Sequence, residues 1–435
     1  MSASGTDLAR AIVDEVCGTL AIEPPELRLR STPEAIEWAR SGAMALTGRP
    51  DGPPLLPTGS PASSVRATLD IVAAVTGAYA LPGPRLLAER AAFLGAGRRG
   101  PWSVGGAFRA LRALDGWLGI SLSRSADLDL IPALVGQDVA GPVWDEIREW
   151  LERTTTAAAA DRTALLSLPA AVVPAEPRQR ARPGILVTRG GARRLAPQPV
   201  VVDLTALWAG PLCAHLLGMA GARVIKVESA ARPDGARHGP AVFYDLLHAG
   251  HESVVLDFAA DKAFLARLIE HADVVLEASR PRALAQLGVD AHEHVARGAI
   301  WASITGYGRE GADATRVGFG DDVAAGAGLV VWQDGVPFPV GDAIADPLAG
   351  AAAAAGVALA LRARRGCLLD VSMHDVAGTV AADPAGPADL VDHGDRWLVR
   401  AAGQVARVAA PRARRPAGHA AAPGAHTASV CGEFC

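Results

Sequence analysis

Between residues 200 and 305 the chain repeats one pattern, a short continuous apolar run followed by a turn and a segment with helical spacing. Val200-Val201-Val202-Asp203-Leu204 is the first such run, and Ala209-Gly210-Pro211 then turns into a helix reaching Met219. A second run occupies Arg223 to Val227. Strands that are apolar on nearly every residue are covered on both faces, and a helix between two of them returns the chain parallel to its start. Further strands are predicted at 253–256, 273–276 and 300–304, with a helix from Lys262 to His271. This alternation implies an α/β fold built on a doubly wound parallel sheet.

A second constraint lies in V-G-D-A-I-A-D-P-L-A-G-A-A-A-A-A-G-V-A-L-A-L, residues 340–361. Two acids, Asp342 and Asp346, stand in a short apolar loop, and Pro347 opens a helix whose small side chains permit close packing. Acids in that position either cap the helix or are held desolvated for chemistry. Both readings stay open on spacing alone.

The remaining chain divides around these two features. Residues 1–35 carry apolar positions at helical period (Leu8, Ile12, Val13, Val16, Leu20) and read as one amphipathic helix ending near Pro24-Pro25. The text of residues 36–78 is similar to that of 321–358, a divergent internal repeat. Aligning Gly59 with Gly341 sets Ser60 opposite Asp342 and Ser64 opposite Asp346, so the first copy would lack carboxylate chemistry. Residues 102–176 form a smaller α+β unit, with a helix around Trp144 to Leu151. Residues 177–199, rich in Pro, Arg and Gly, read as a linker with a short strand at 184–188, and 379–435 is an Ala/Pro/Arg-rich C-terminal segment.

Charge and cysteine content narrow the function. A formal net charge of -4 gives no basic field for nucleic acid. The five cysteines (Cys17, Cys213, Cys367, Cys431, Cys435) show neither CxxC pairing nor a His-Cys cluster, so no metal and no disulfide framework is expected. No charged-then-apolar leader opens the chain, and its alanine runs are broken before spanning length. A cytoplasmic, non-membrane protein is the expectation.

Several ordered segments resemble the class III CoA-transferases, the family of formyl-CoA and carnitine CoA-transferases that includes the α-methylacyl-CoA racemases. They are V-V-D-L-T-A-L-W-A-G-P-L, V-I-K-V-E, A-D-V-V-L-E-A-S-R-P-R, W-A-S-I-T-G-Y-G-R-E-G and R-G-C-L-L-D-V-S-M-H-D, across about 175 residues. The resemblance implies that 200–378 is a Rossmann-like domain binding coenzyme A, that 102–176 is the family's small domain, and that acyl-CoA and carboxylic acids are substrates. It further implies a homodimer, part of whose contact the repeat would make intramolecular.

The nucleophilic Asp of that family precedes one Gly by four residues and a second by ten, as Asp346, Gly350 and Gly356 do here. Asp342 competes for the role, since it follows a Gly as the family's nucleophile commonly does. Asp321, with Asp322, lies where transferases carry an acid and racemases a His-Asp pair, and no His occurs there. By the same resemblance Trp208 and Ala209 in the first βα turn, Arg280 and Arg316 would contact coenzyme A. Trp208, Ser229 and Ala278 depart from the family's residues at their positions.

Overall fold

The computed structural model describes residues 5–27, 32–177, 184–279, 284–394 and 396–434. The smaller unit comes first. Strands β1 (Phe108–Arg112), β2 (Trp117–Ser121) and β3 (Ala170–Val172) form an antiparallel sheet in that order. Helices Val143–Leu151 and Thr156–Leu165 cover it, and Leu118, Ile120, Leu134, Ile147 and Leu151 close a separate core.

The main sheet contains β4 (Ile185–Ala192), β5 (Val200–Asp203), β6 (Arg223–Ser229), β7 (Glu252–Leu256), β8 (Val274–Glu277) and β9 (Ile300–Thr305). The antiparallel hairpin β10 (Val330–Gln333) and β11 (Val336–Pro339) stands apart, and β12 (Arg365–Ser372) rejoins the sheet. The strand order is β4-β12-β9-β8-β5-β6-β7, parallel throughout except that β4 runs antiparallel to β12. The doubly wound α/β expectation therefore holds, with the predicted strands each found within one or two residues. The short strand expected at 184–188 within the linker stretch is β4, longer than expected, an eight-residue edge strand. An edge strand needs apolar residues on one face only, so Arg189 and Gly190 do not prevent it.

Helix Ala345–Ala360 runs through the centre of the molecule, and of its 16 residues all but Asp346 are buried. It packs on helices Ala209–Met219, Pro61–Thr76 and Asp7–Leu20 and on β12. Small side chains make this possible. A Cβ on Gly350 would stand 2.5 Å from the Ala209 carbonyl oxygen, so the two helices approach backbone to backbone there. The helix also starts earlier than Pro347, which places Asp346 in its first turn rather than in the preceding loop.

The amino-terminal helix stops at Leu20, where Ala21 takes a left-handed conformation and its amide closes on the Cys17 and Gly18 carbonyls. The one amphipathic helix expected before Pro24-Pro25 is thus found, and a separate helix, Glu34–Ser41, follows. The C-terminal segment holds a three-stranded meander of β13 (Asp389–Asp392), β14 (Trp397–Ala401) and β15 (Gln404–Arg407) against helix Glu34–Ser41. The tail then crosses the molecule. Arg414 pairs with Glu89, the Ala420 amide donates to Asp245, and His426 and Thr427 accept amides from β7.

Candidate active site

The loop after β11 brings three carboxyl groups together. Gly341 has φ +65, which only a residue without Cβ adopts freely, and its amide donates to Thr47 Oγ1 at 2.9 Å. The chain turns again at Ala343, whose amide donates to Asp321 Oδ1 at 2.9 Å and whose carbonyl accepts from the Asp346 amide. Asp321 belongs to the short helix Gly320–Gly326. A Cβ at Gly320 would lie 2.4 Å from Asp346 Oδ2 and 2.3 Å from the Ala343 oxygen, so the Asp346 carboxyl rests on bare backbone there.

Asp342 is fully buried and grips a partner from far along the chain. Arg90 donates through Nε to Oδ2 at 2.9 Å and through Nη2 to Oδ1, a bidentate fork. Its guanidinium also lies over the Trp208 ring, 5.1 Å from the centroid. Trp208 in turn meets Phe243 edge to face at 5.4 Å. Asp321 and Asp346 keep partial exposure, whereas Asp342 has none.

This environment moves the titrations. Burial pushes Asp321 up to about 7, Asp342 adds to the rise, and Arg90 opposes it. Burial also pushes Asp346 to about 7, against Arg90 and the Gly320 amide, with Asp342 reinforcing the shift. For Arg90, burial disfavours the charge, but Asp342 and then the other two acids hold its pKa above the ordinary range. Like charges in a low-dielectric site raise one another, and one guanidinium partly offsets them. Two carboxyl groups that change charge near neutrality can act as nucleophile or as acid and base.

The other expected residues divide. Asp322 is a capping and bridging group, accepting from the Phe319 amide at 3.1 Å and from Ser121 of β2 at 2.7 Å. Its burial raises it to about 7 as well. Trp208 and Ala209 adjoin the acid cluster, through Arg90 and through Gly350 respectively. Arg316 is engaged elsewhere, donating to the Ala170 carbonyl at 2.8 Å and to Asp313 and stacking on Tyr307. Arg280 lies outside the described residues.

Sequence reasoning missed Arg90 and Ser121. Their acid partners lie 252 and 201 residues away, and no motif in the first half marks either. Beside the site, buried Lys226 of β6 pairs with Asp234 at 3.1 Å and Asp203 at 3.6 Å and donates to the Thr205 carbonyl, tying down the loops after β5 and β6. Among the described residues no group of three or more His, Cys, Asp and Glu could hold a metal ion, and no helix is long and apolar enough to cross a membrane.

Residues 198–407, just under half of the chain, match the family model described as CoA-transferase family III. That segment belongs to this family. Succinyl-CoA--D-citramalate CoA-transferase of Chloroflexus aurantiacus is 32% identical over 193 residues, 40% of this chain and 48% of that protein. Acetyl-CoA:oxalate CoA-transferase of Acetobacter aceti is 33% identical over 201 residues, 42% of this chain and 51% of that protein. The solved structure of the hypothetical protein Rv3272 from Mycobacterium tuberculosis aligns at 31% identity and TM-score 0.43, covering 48% of this chain and 65% of that one. The chain spans about half the length of the curated relatives it matches. Asp321, Asp342, Asp346, Trp208, Ala209 and Arg316 all fall inside the CoA-transferase family III segment, and Arg90 falls outside it.

Proposed function

We propose that the protein is an acyl-CoA:carboxylate CoA-transferase with Asp346 as its covalent nucleophile. The observation that carries this reading is the placement of Asp346 within the CoA-transferase family III segment. It is the one carboxyl of helix Ala345–Ala360, it is partly exposed, and it rests against the Gly320 backbone. Asp342 is less suited to attack, because it is fully buried and both of its oxygens accept from Arg90. Its role is to hold that arginine and to raise its neighbours by like-charge repulsion.

In the proposed reaction an Asp346 oxygen attacks the thioester carbonyl of an acyl-CoA, the C–S bond breaks, and a mixed anhydride and CoA thiolate form. The thiolate attacks the aspartyl carbonyl, releasing the first carboxylate and leaving an aspartyl-CoA thioester. An acceptor carboxylate attacks that thioester to give a new anhydride and free thiolate. The thiolate then takes the acceptor acyl group and restores Asp346. Backbone amides are suited to receiving the oxyanion of each step, and the Gly320 amide already bonds the Asp346 carboxyl.

The test is intact-protein mass spectrometry after incubation with acetyl-CoA or succinyl-CoA and hydroxylamine. A hydroxamate that disappears in Asp346→Ala is expected. A hydroxamate retained in Asp346→Ala and lost in Asp342→Ala would overturn the assignment. A second reading, 2-methylacyl-CoA racemisation, is favoured by one observation, that Asp321 and Asp346 both titrate near 7 in the same cluster. Exchange of an α-proton into deuterated water without any hydroxamate would select it.

A further inference from the structure

We infer that Arg90, supplied by the first half of the chain, is the charge-compensating residue of the acid cluster, and that Asp346 depends on it to work as a carboxylate. The inference rests on the transfer reaction proposed above and names the positioning residue that the CoA-transferase family III segment does not itself contain.

The charges facing one another can be followed element by element. The short helix Gly320–Gly326 contributes Asp321, while its Asp322 turns instead to Ser121. The loop and the central helix contribute Asp342 and Asp346. Helix Glu89–Leu94 contributes Arg90, and the first βα turn contributes the uncharged Trp208. Arg90 is the cation acting on both Asp321 and Asp346, and Asp342 is the anion acting on both. Three carboxylates and one guanidinium leave an excess of negative charge in a site with little water. The acids answer by holding protons. A protonated Asp346 is a far weaker nucleophile than its carboxylate, so the cation determines how much nucleophile exists at neutral pH.

The geometry is specific to arginine. Nε and Nη2 form a planar fork on Asp342, and the same plane lies over the indole of Trp208. A lysine ammonium has neither the fork nor the flat face. The residue before Arg90 is also fixed. Glu89 accepts from Arg414 of the C-terminal tail, Nε to Oε1 at 2.6 Å and Nη2 to Oε2 at 2.9 Å. The short helix that carries Arg90 is thereby clamped between the tail and the acid cluster. Gly105 passes beside it, where a Cβ would approach Nη2 to 3.8 Å.

The test reads Asp346 directly. Full-length wild type, Arg90→Gln and Asp342→Asn, each checked for folding by circular dichroism, are labelled with a water-soluble carbodiimide and an amine between pH 5 and 9. This reagent couples protonated carboxyl groups, and peptide mass spectrometry quantifies labelling at Asp346. Wild type is expected to lose labelling around pH 7. In Arg90→Gln the midpoint moves up by about one unit, so labelling at pH 8 rises roughly fivefold. In Asp342→Asn, which removes an anion and frees the guanidinium for Asp346, the midpoint moves down. Arg90→Lys falls between wild type and Arg90→Gln. An unchanged midpoint in folded Arg90→Gln overturns the inference, and if that variant does not fold, an unchanged midpoint in Asp342→Asn does so. If the midpoints move as stated but no thioester yields a hydroxamate in wild type, the transferase reading fails alone and the role of Arg90 stands.

Discussion

Two glycines of the central helix offer a sharp test of its packing. At Gly350 an added Cβ meets the Ala209 carbonyl oxygen at 2.5 Å and Leu212 Cβ at 3.1 Å. Carbon-to-oxygen contacts normally settle near 3.3–3.6 Å, so helix Ala209–Met219 would have to retreat by about 1 Å at its first turn. Overpacking of this kind costs about 1–3 kcal/mol, and the gain in helix propensity from Gly to Ala offsets about 1 kcal/mol of it. Gly350→Ala should therefore lose up to about 2 kcal/mol. At Gly356 the nearest atoms are the Ile185 Cδ1 methyl at 3.3 Å and the Leu369 methyls near 3.8 Å, ends of side chains that can turn aside. Gly356→Ala should lie between neutral and about 1 kcal/mol more stable. Urea denaturation followed by tryptophan fluorescence measures both, read as a shift in midpoint at unchanged slope. Because Trp208 and Ala209 move with the retreating helix, Gly350→Ala should also weaken any activity of the acid cluster, and Gly356→Ala should not. Equal midpoints for the two variants would refute the claim that backbone contact at Gly350 defines this interface.

Asp346→Asn should stabilise the fold in a pH-dependent way. The native group titrates near 7 and the unfolded one near 4, so the native state holds a proton that the unfolded state releases. The wild type therefore loses stability as pH rises from about 4 through 7, and the asparagine variant is spared that loss. Thermal melts should coincide at pH 4 and differ by about 1–3 kcal/mol at pH 8, and a gap at pH 4 as large as at pH 8 would contradict the assignment. Lys226→Met should destabilise by about 3–5 kcal/mol, since it strands buried Asp203 and Asp234 without their cation. Calorimetric melting checks this, and a Met variant as stable as wild type would mean that the two acids are protonated in the fold.

The main sheet was legible because its parallel strands are apolar on almost every residue, so each run of valines and isoleucines could be placed without knowing its neighbours. Edge strand β4 was less so. After Ile185 its residues are half-buried or exposed, it packs against both helix Asp7–Leu20 and helix Ala291–Ala296, and its Val187 amide is held by Glu15 at 2.9 Å. Asp346 was singled out by the family resemblance, through the spacing of Gly350 and Gly356, and both glycines face close neighbours. The electrostatic partner of the cluster was not legible. An ion pair between residues 90 and 342 leaves no periodic trace, and the alignment of the two copies points to Ser60 and Ser64 rather than to Arg90. Arg316 shows the converse, a cation that sequence position assigned to a ligand and that the fold gives to a carbonyl of β3.

The pairing of helix Pro61–Thr76 with helix Ala345–Ala360 also sets a timetable for synthesis. Their first residues are separated by 345 - 61 = 284 positions, and at roughly 5–20 residues per second the ribosome needs about 15–55 s to cover that distance. Throughout that interval the faces of Asp7–Leu20 and Pro61–Thr76 that the central helix will cover stand bare. The nascent chain thus carries an unpartnered apolar surface for most of its birth, a period in which aggregation competes with folding.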